Sequence, residues 1–231
     1  MVSAKTSLKF RKAHRYLGLF LGVQFLFWTI SGLYFSWTNL DEIHGDQFKK
    51  NKVQKEYKNL ISPSDLDYKD GIKIISLRDF NNVPYYWINS ELLVNALSGS
   101  VKDSITKEEA ISISNENILD QYKISLVEKI YEVGNHHEYR GRPLPAFVIS
   151  YDGTENLKSY VSVLDGQFQT VRHRDWRWFD FLWMTHTMDY KTRDDFNNKL
   201  IRIFSLMGLF TVMSGFILWG ITSKTLKKIF K

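Results

Sequence analysis

An uncharged run of 22 residues, Tyr16–Trp37 (YLGLFLGVQFLFWTISGLYFSW), sets the first limit on what this chain can fold into. As an α-helix it extends about 33 Å at roughly 1.5 Å per residue. That covers the roughly 30 Å hydrocarbon core of a bilayer. A second apolar run lies near the other end, over residues 199–221, with Arg202 at one edge and Trp219 near the other. The basic residues before Tyr16 resemble the n-region of a signal peptide. The apolar run is longer than a usual h-region, however, and no A-x-A site follows it, so the expectation is an uncleaved transmembrane helix.

Charge supports this reading. Of the 31 Lys and Arg in the 231-residue chain, Lys5, Lys9, Arg11, Lys12 and Arg15 precede the first span and Lys224, Lys227, Lys228 and Lys231 follow the second, with no acid in either flank. The remaining 22 basic residues face all 25 acidic ones, so the overall excess of +6 belongs to the flanks and not to a nucleic-acid surface. Basic flanks mark cytoplasmic ends. Both termini are therefore expected inside and the central part outside. The absence of cysteine excludes disulfides, iron–sulfur clusters and covalent c-type haem.

The expected organisation is an α+β membrane protein. A basic tail (1–15) leads to transmembrane helix 1 (16–38), a connector (39–61), an extracytoplasmic domain (62–172), an interfacial aromatic helix and turn (173–198), transmembrane helix 2 (199–221) and a basic tail (222–231). The central domain reads as two αβββ-like units, 62–103 and 104–172, the first degenerate. In the second unit Ser104 or Thr106 caps a helix through AISISNENILDQY. Strands follow at Ile124–Val133, Ala146–Tyr151 and Ser159–Leu164. The first unit has strands at Ile72–Leu77, Pro84–Ile88 and Leu92–Leu97 but no clear helix. Gly18, Gly22, Thr29, Gly32 and Ser36 form a stripe on the first span that lets a helix or a flat ligand approach. Gly208, Thr211, Ser214 and Gly215 form a patch on the second span to meet the first.

The run ITKEEAISIS, VEKIYEV, PAFVISYD, YVSVLDGQF resembles the PepSY domain. HRYLGLFLGVQFLFWTISGLYFSW and FLWMTHTMDY with LFTVMSGFILW resemble the helices of PepSY-associated transmembrane proteins. These pieces cover most of the chain in family order, although this chain has two spans where larger members have four. The resemblance implies a PepSY-like domain in the periplasm of a bacterium and a protein of the inner membrane. Some four-helix members bind haem and reduce ferric siderophores, so it also implies haem b and an enzyme of that kind.

The residues themselves show no catalytic motif for hydrolysis or nucleotide chemistry. They do place histidines at the expected membrane boundaries. His14, His44 and His186 are candidate axial ligands to haem iron, Met184 and Met188 are alternative donors, and Trp183 with Phe179 is a candidate wall for a flat cofactor. His14 and His44 are about 45 Å apart along one helix, so they cannot share a haem within one copy, and a homodimer through the transmembrane helices would supply the missing ligands. The place of His186 and His14 matches the family's runs; His44 has no clear counterpart there. Amphipathic anchoring is the competing role for each of these histidines and for the Trp176–Trp183 cluster. His136 and His137 read as a solvated loop, and His173 as solvated or headgroup-facing.

Two functions are compatible with these residues. One is an inner-membrane b-type haem protein passing electrons to a periplasmic acceptor, with ferric siderophore implied by the resemblance. The other is a non-catalytic, membrane-tethered PepSY binding module or accessory subunit, taking a peptide on an exposed strand edge at Ser159–Leu164.

Overall fold

The computed structural model describes residues 4–51, 55–66, 68 and 71–223; Lys224, Lys227, Lys228 and Lys231 of the expected C-terminal tail lie outside them. In chain order the elements are α1 (Ala4–Trp37), α2 (Leu40–Ile43), β1 (Ile75–Phe80), β2 (Val83–Ile88), β3 (Leu92–Asn95), β4 (Val101–Lys102), α3 (Lys107–Asn117), β5 (Ile124–Ile130), β6 (Ala146–Tyr151), β7 (Lys158–Ser162), β8 (Phe168–Arg172), α4 (Arg174–Thr187) and α5 (Lys199–Thr222). They divide into a sheet unit, Asn39–Trp178, and a helical unit made of Met1–Thr38 and Phe179–Lys231.

In the helical unit, α1 and α5 are both long and apolar enough to cross a membrane. Only 17% and 11% of their most apolar stretches are buried within the chain, so most of their Leu, Phe and Ile side chains have no protein cover. The core helix of a soluble domain would bury far more. The chain is thus α+β with two antiparallel sheets and two candidate spans, an architecture compatible with a two-span membrane protein. The small-residue patch on α5 does meet α1. A Cβ added at Gly208 would lie 3.1 Å from the Phe25 ring, and one at Gly215 would lie 3.2 Å from the His14 ring. The glycines of α1 behave differently: nothing lies within 4 Å of a Cβ placed at Gly18, Gly22 or Gly32.

The sheet unit contains two four-stranded antiparallel meanders, β1-β2-β3-β4 and β5-β6-β7-β8. Each therefore has one strand more than the sequence suggests. The Asp165-Gly166 pair is the turn from β7 into β8, a strand not expected from the sequence. Asp-Gly between strands is a strong hairpin signal. Strand β1 begins three residues later than expected because Asn81 and Asn82, both at positive φ, form the β1–β2 turn and pair Phe80 with Val83. Strand β7 pairs with β6 on one side and β8 on the other. The expectation of a free edge at Ser159–Leu164 is therefore overturned.

Helix α3 lies at the centre of this unit. Thr106 and Glu109 form a reciprocal capping box at its start. It stops at Asn117, short of the expected Tyr122, because Ile118 turns extended and bridges Lys49. Ala110 and Ile113 pack with Phe80 and Leu93 of the first sheet and with Phe147, Ile149 and Val161 of the second. Ser114 shares buried hydroxyl hydrogen bonds with Tyr151 and Ser159. Both sheets are also covered on their far faces. Tyr86, Ile88 and Val94 lie under Leu60, Leu66 and Tyr68, and Ala146, Val148 and Tyr160 lie under Tyr139 and Leu144.

The two sheets are joined at the β7–β8 turn. Arg78 Nε donates to the buried Asp165 carboxylate at 3.1 Å, and Gly166 sits against Phe80 with φ +66°. A Cβ at Gly166 would come within 2.9 Å of the Phe80 ring. Gly166→Ala is expected to lower stability by about 2–4 kcal/mol, combining left-handed strain with overpacking. Gly134→Ala, in open space, is expected to stay within about 0.5 kcal/mol of the parent. Urea unfolding followed by tryptophan fluorescence checks both.

Candidate functional site

A helix end leaves backbone carbonyls without intrahelical partners. At the end of α4 three of these are met by side chains. Gln24 Nε2 donates to the Thr185 carbonyl at 3.0 Å, Trp28 Nε1 to that of His186 at 2.7 Å, and Asn198 Nδ2 to that of Thr187 at 2.9 Å. Gln24 and Trp28 belong to α1, and Asn198 caps α5. The end of α4 is thereby held against the C-terminal half of α1, and His186 with it.

Hydrogen bonding fixes the tautomer of His186. Its Nδ1 lies 2.7 Å from Ser31 Oγ. Ser31 has one hydroxyl proton and donates it back to the Phe27 carbonyl at 2.6 Å. His186 must therefore donate from Nδ1, which leaves the lone pair on Nε2. The half-buried ring stands at 72° to Phe35, which also contacts Phe179 and Trp183. Phe179 and Trp183 are parallel to within 9°. Burial pushes the imidazole pKa down, favouring the neutral form. Met184, two residues before His186, is half-buried, and Met188 is buried beyond the helix end.

His14 repeats the arrangement on the other helix. Its Nδ1 lies 2.8 Å from Ser214 Oγ, and Ser214 donates to the Thr211 carbonyl at 2.7 Å. Nε2 again keeps the lone pair. Ser31 and His14 are 17 residues apart on α1, about 25 Å of helix, so the two imidazoles serve different levels.

His44 belongs to the sheet unit. It is exposed and lines a cleft of about 610 Å³ with Lys49, Lys50, Arg142, Arg172 and Trp176. Trp176 stacks under the Arg172 guanidinium at 3.9 Å. His136 is exposed as expected, whereas His137 is half-buried and accepts the Tyr139 N–H at 3.0 Å. His173 departs furthest from expectation. It is 1% exposed, with Nε2 3.1 Å from the Ile43 carbonyl and its ring 4.9 Å from Phe48.

Sequence reasoning missed the charge cluster around Glu138, which looks like part of a solvated loop. Its carboxylate takes a fork from Arg177 at 2.6 and 3.1 Å and the Tyr160 hydroxyl at 2.6 Å. Burial alone would raise its pKa, but Arg177 and Tyr160 outweigh it and hold the carboxyl below its ordinary value. Burial and Arg142 push the Arg172 pKa down to about 10.

No family model, curated protein or solved structure matches the chain.

The Arg177 fork and the Tyr160 hydroxyl, which hold the Glu138 carboxyl below its ordinary value, imply a pH dependence. A carboxylate depressed in the folded state adds stability that is complete above its unfolded value of about 4.3 and is lost as pH falls through the folded value. The parent should lose stability on acidification below about pH 4.5. Glu138→Gln should be less stable by about 3 kcal/mol at pH 7, with Arg177 left unpaired, and should show a flatter acid limb in denaturation followed by circular dichroism.

Proposed function

We propose that this chain is a bacterial inner-membrane b-type haem protein that passes electrons to a periplasmic acceptor, with ferric siderophore as the acceptor implied by its PepSY-like sequence. The observation that carries the reading is the pair of serine-held imidazoles in the helical unit, His186 with Ser31 and His14 with Ser214, each with the Nε2 lone pair available. That is the form in which imidazole ligates iron, with the second nitrogen bonded to an orienting acceptor. The residues fit the group in a further respect. Phe35, Phe179 and Trp183 give His186 an apolar, aromatic setting.

His186 and His14 would each hold a haem at its own level. α5 carries no histidine, so a second copy of the chain would complete the hold on the haem at each level. Haem supplies the one-electron chemistry. Ser31 and Ser214 hold the rings and their tautomers. Gln24 and Trp28 fix the backbone that bears His186, and the aromatic group keeps water from it. The basic flank of α1 orients the protein with its sheet unit in the periplasm.

Detergent-purified protein, supplemented with haem b, is expected to show a Soret band with a bis-imidazole spectrum. His186→Ala and His14→Ala should each lower the haem-to-protein ratio, and Ser31→Ala should weaken haem affinity about 10–100-fold through loss of the orienting bond. A folded protein with no Soret band, or a double His14→Ala/His186→Ala variant with an unchanged spectrum, would overturn the reading in favour of a tethered binding module.

A further inference from the structure

In the sheet unit, a ring nitrogen of His173 and one carboxylate oxygen each from Glu155 and Asp175 lie within 4.8 Å of one another. His173 is unusual in this trio because it is buried. Its Nε2 faces the Ile43 carbonyl at 3.1 Å, and a carbonyl only accepts, so the proton sits on Nε2. Nδ1 then carries the lone pair. It is buried and has no hydrogen-bond partner among the described residues. A buried acceptor left unmade is costly, and it calls for a partner.

We propose that His173 Nδ1, Glu155 and Asp175 form a binding site for a first-row divalent cation of the zinc type. One imidazole and two carboxylates are three protein ligands of the kind that leave a fourth position to water. The Ile43 carbonyl acts as the orienting acceptor that a metal-bound imidazole ordinarily has on its other nitrogen. Phe48 packs on the ring and keeps it in place. The Arg174 N–H donates to the Glu155 carbonyl at 2.8 Å, which ties the β6–β7 turn to the head of α4 and brings the ligands together.

The carboxylates are free to close. A tetrahedral ion with bonds of about 2.0–2.2 Å spaces its ligands about 3.4 Å apart, so the acidic side chains need to move in by about 1 Å. Asp175 is exposed and Glu155 half-buried, and the charge between them is Arg174, at 3.4 Å from Asp175 and 3.6 Å from Glu155. Such exposed, long ion pairs hold side chains weakly. Arg174 therefore acts as the resident counter-ion that an entering cation displaces. The site is independent of the haem reading, since it uses none of the same residues.

The test uses the full-length detergent-purified protein, stripped with chelator and titrated with Zn²⁺ by competition against a zinc-sensitive dye. The parent should bind with an affinity more than tenfold above the Glu155→Gln/Asp175→Asn double variant. Saturating Zn²⁺ should raise Tm in the parent and not in the variant, whose metal-free circular dichroism should match the parent. Asp175 is exposed and Glu155 half-buried, and the matching circular dichroism establishes that both proteins are folded before their affinities are compared. Arg174→Ala should bind Zn²⁺ at least as tightly as the parent. Equal affinity and equal Tm shift in parent and double variant, or weaker binding in Arg174→Ala, would overturn the assignment. Haem content plays no part in either readout.

Discussion

The helical unit depends on how the end of α4 is satisfied. Carbonyl groups in an apolar setting need donors, and α1 provides two of them inside a run made mostly of Leu, Phe and Gly. Gln24 is a buried amide in the middle of a candidate span, and its amide nitrogen donates to the Thr185 carbonyl. Trp28, four residues on, serves the next carbonyl. Ser31 completes the row by receiving His186. One face of α1 is therefore polar at intervals of three and four residues, the spacing that keeps side chains on one side of a helix. The loop that follows α4 is ordered by the same means. Asp189 accepts the backbone N–H groups of Lys191, Thr192, Asp194 and Asp195, and Arg193 pairs with the buried Asp180 at 2.6 Å.

The sheet unit depends on a different device, a single short helix shared by two meanders. Each meander is a local structure of neighbouring strands, and neither could bury both faces alone. Helix α3 offers Ala110 and Ile113 to both. Connecting stretches then cover the outer faces: Leu60 and Leu66 lie half-buried on the first meander, and the buried Tyr139 with the half-buried Leu144 lies on the second. The outer face of the second meander ends in charge: Tyr160 is stacked on Tyr139 and also donates to Glu138, so the aromatic layer and the ion cluster are continuous.

Much of this was legible in the residues. Apolar length and flanking charge located α1 and α5. Thr106 with Glu109 announced α3. Alternating Val, Ile and Tyr marked most strands. The histidine positions were legible, but their partners were not, because Ser31 and Ser214 lie 155 and 200 residues from the rings they bind. Pairings at that separation are products of tertiary packing. His173 was misread for a related reason. Flanked by Arg172 and Arg174, it looks solvated, yet the strand-to-helix turn there points neighbouring side chains in different directions. Arg172 lies over Trp176, Arg174 lies outward, and His173 points into the core against Phe48. Strand β8 was hidden because its residues, FQTVR, mix polar and apolar types, and only the preceding Asp-Gly turn argued for it.

The close seating of Gly166 on Phe80 also determines where the chain can accept added length. A turn whose backbone touches an aromatic ring from the other sheet cannot grow without parting the two sheets. Gly134, in the connection between β5 and β6, meets no atom within 4 Å of an added Cβ, and loop tips of that kind take insertions readily. Among related sequences the β7–β8 turn should therefore be constant in length, and variation should gather in the β5–β6 connection. A fluorescent or affinity label placed there would report on the sheet unit without disturbing the join between its halves.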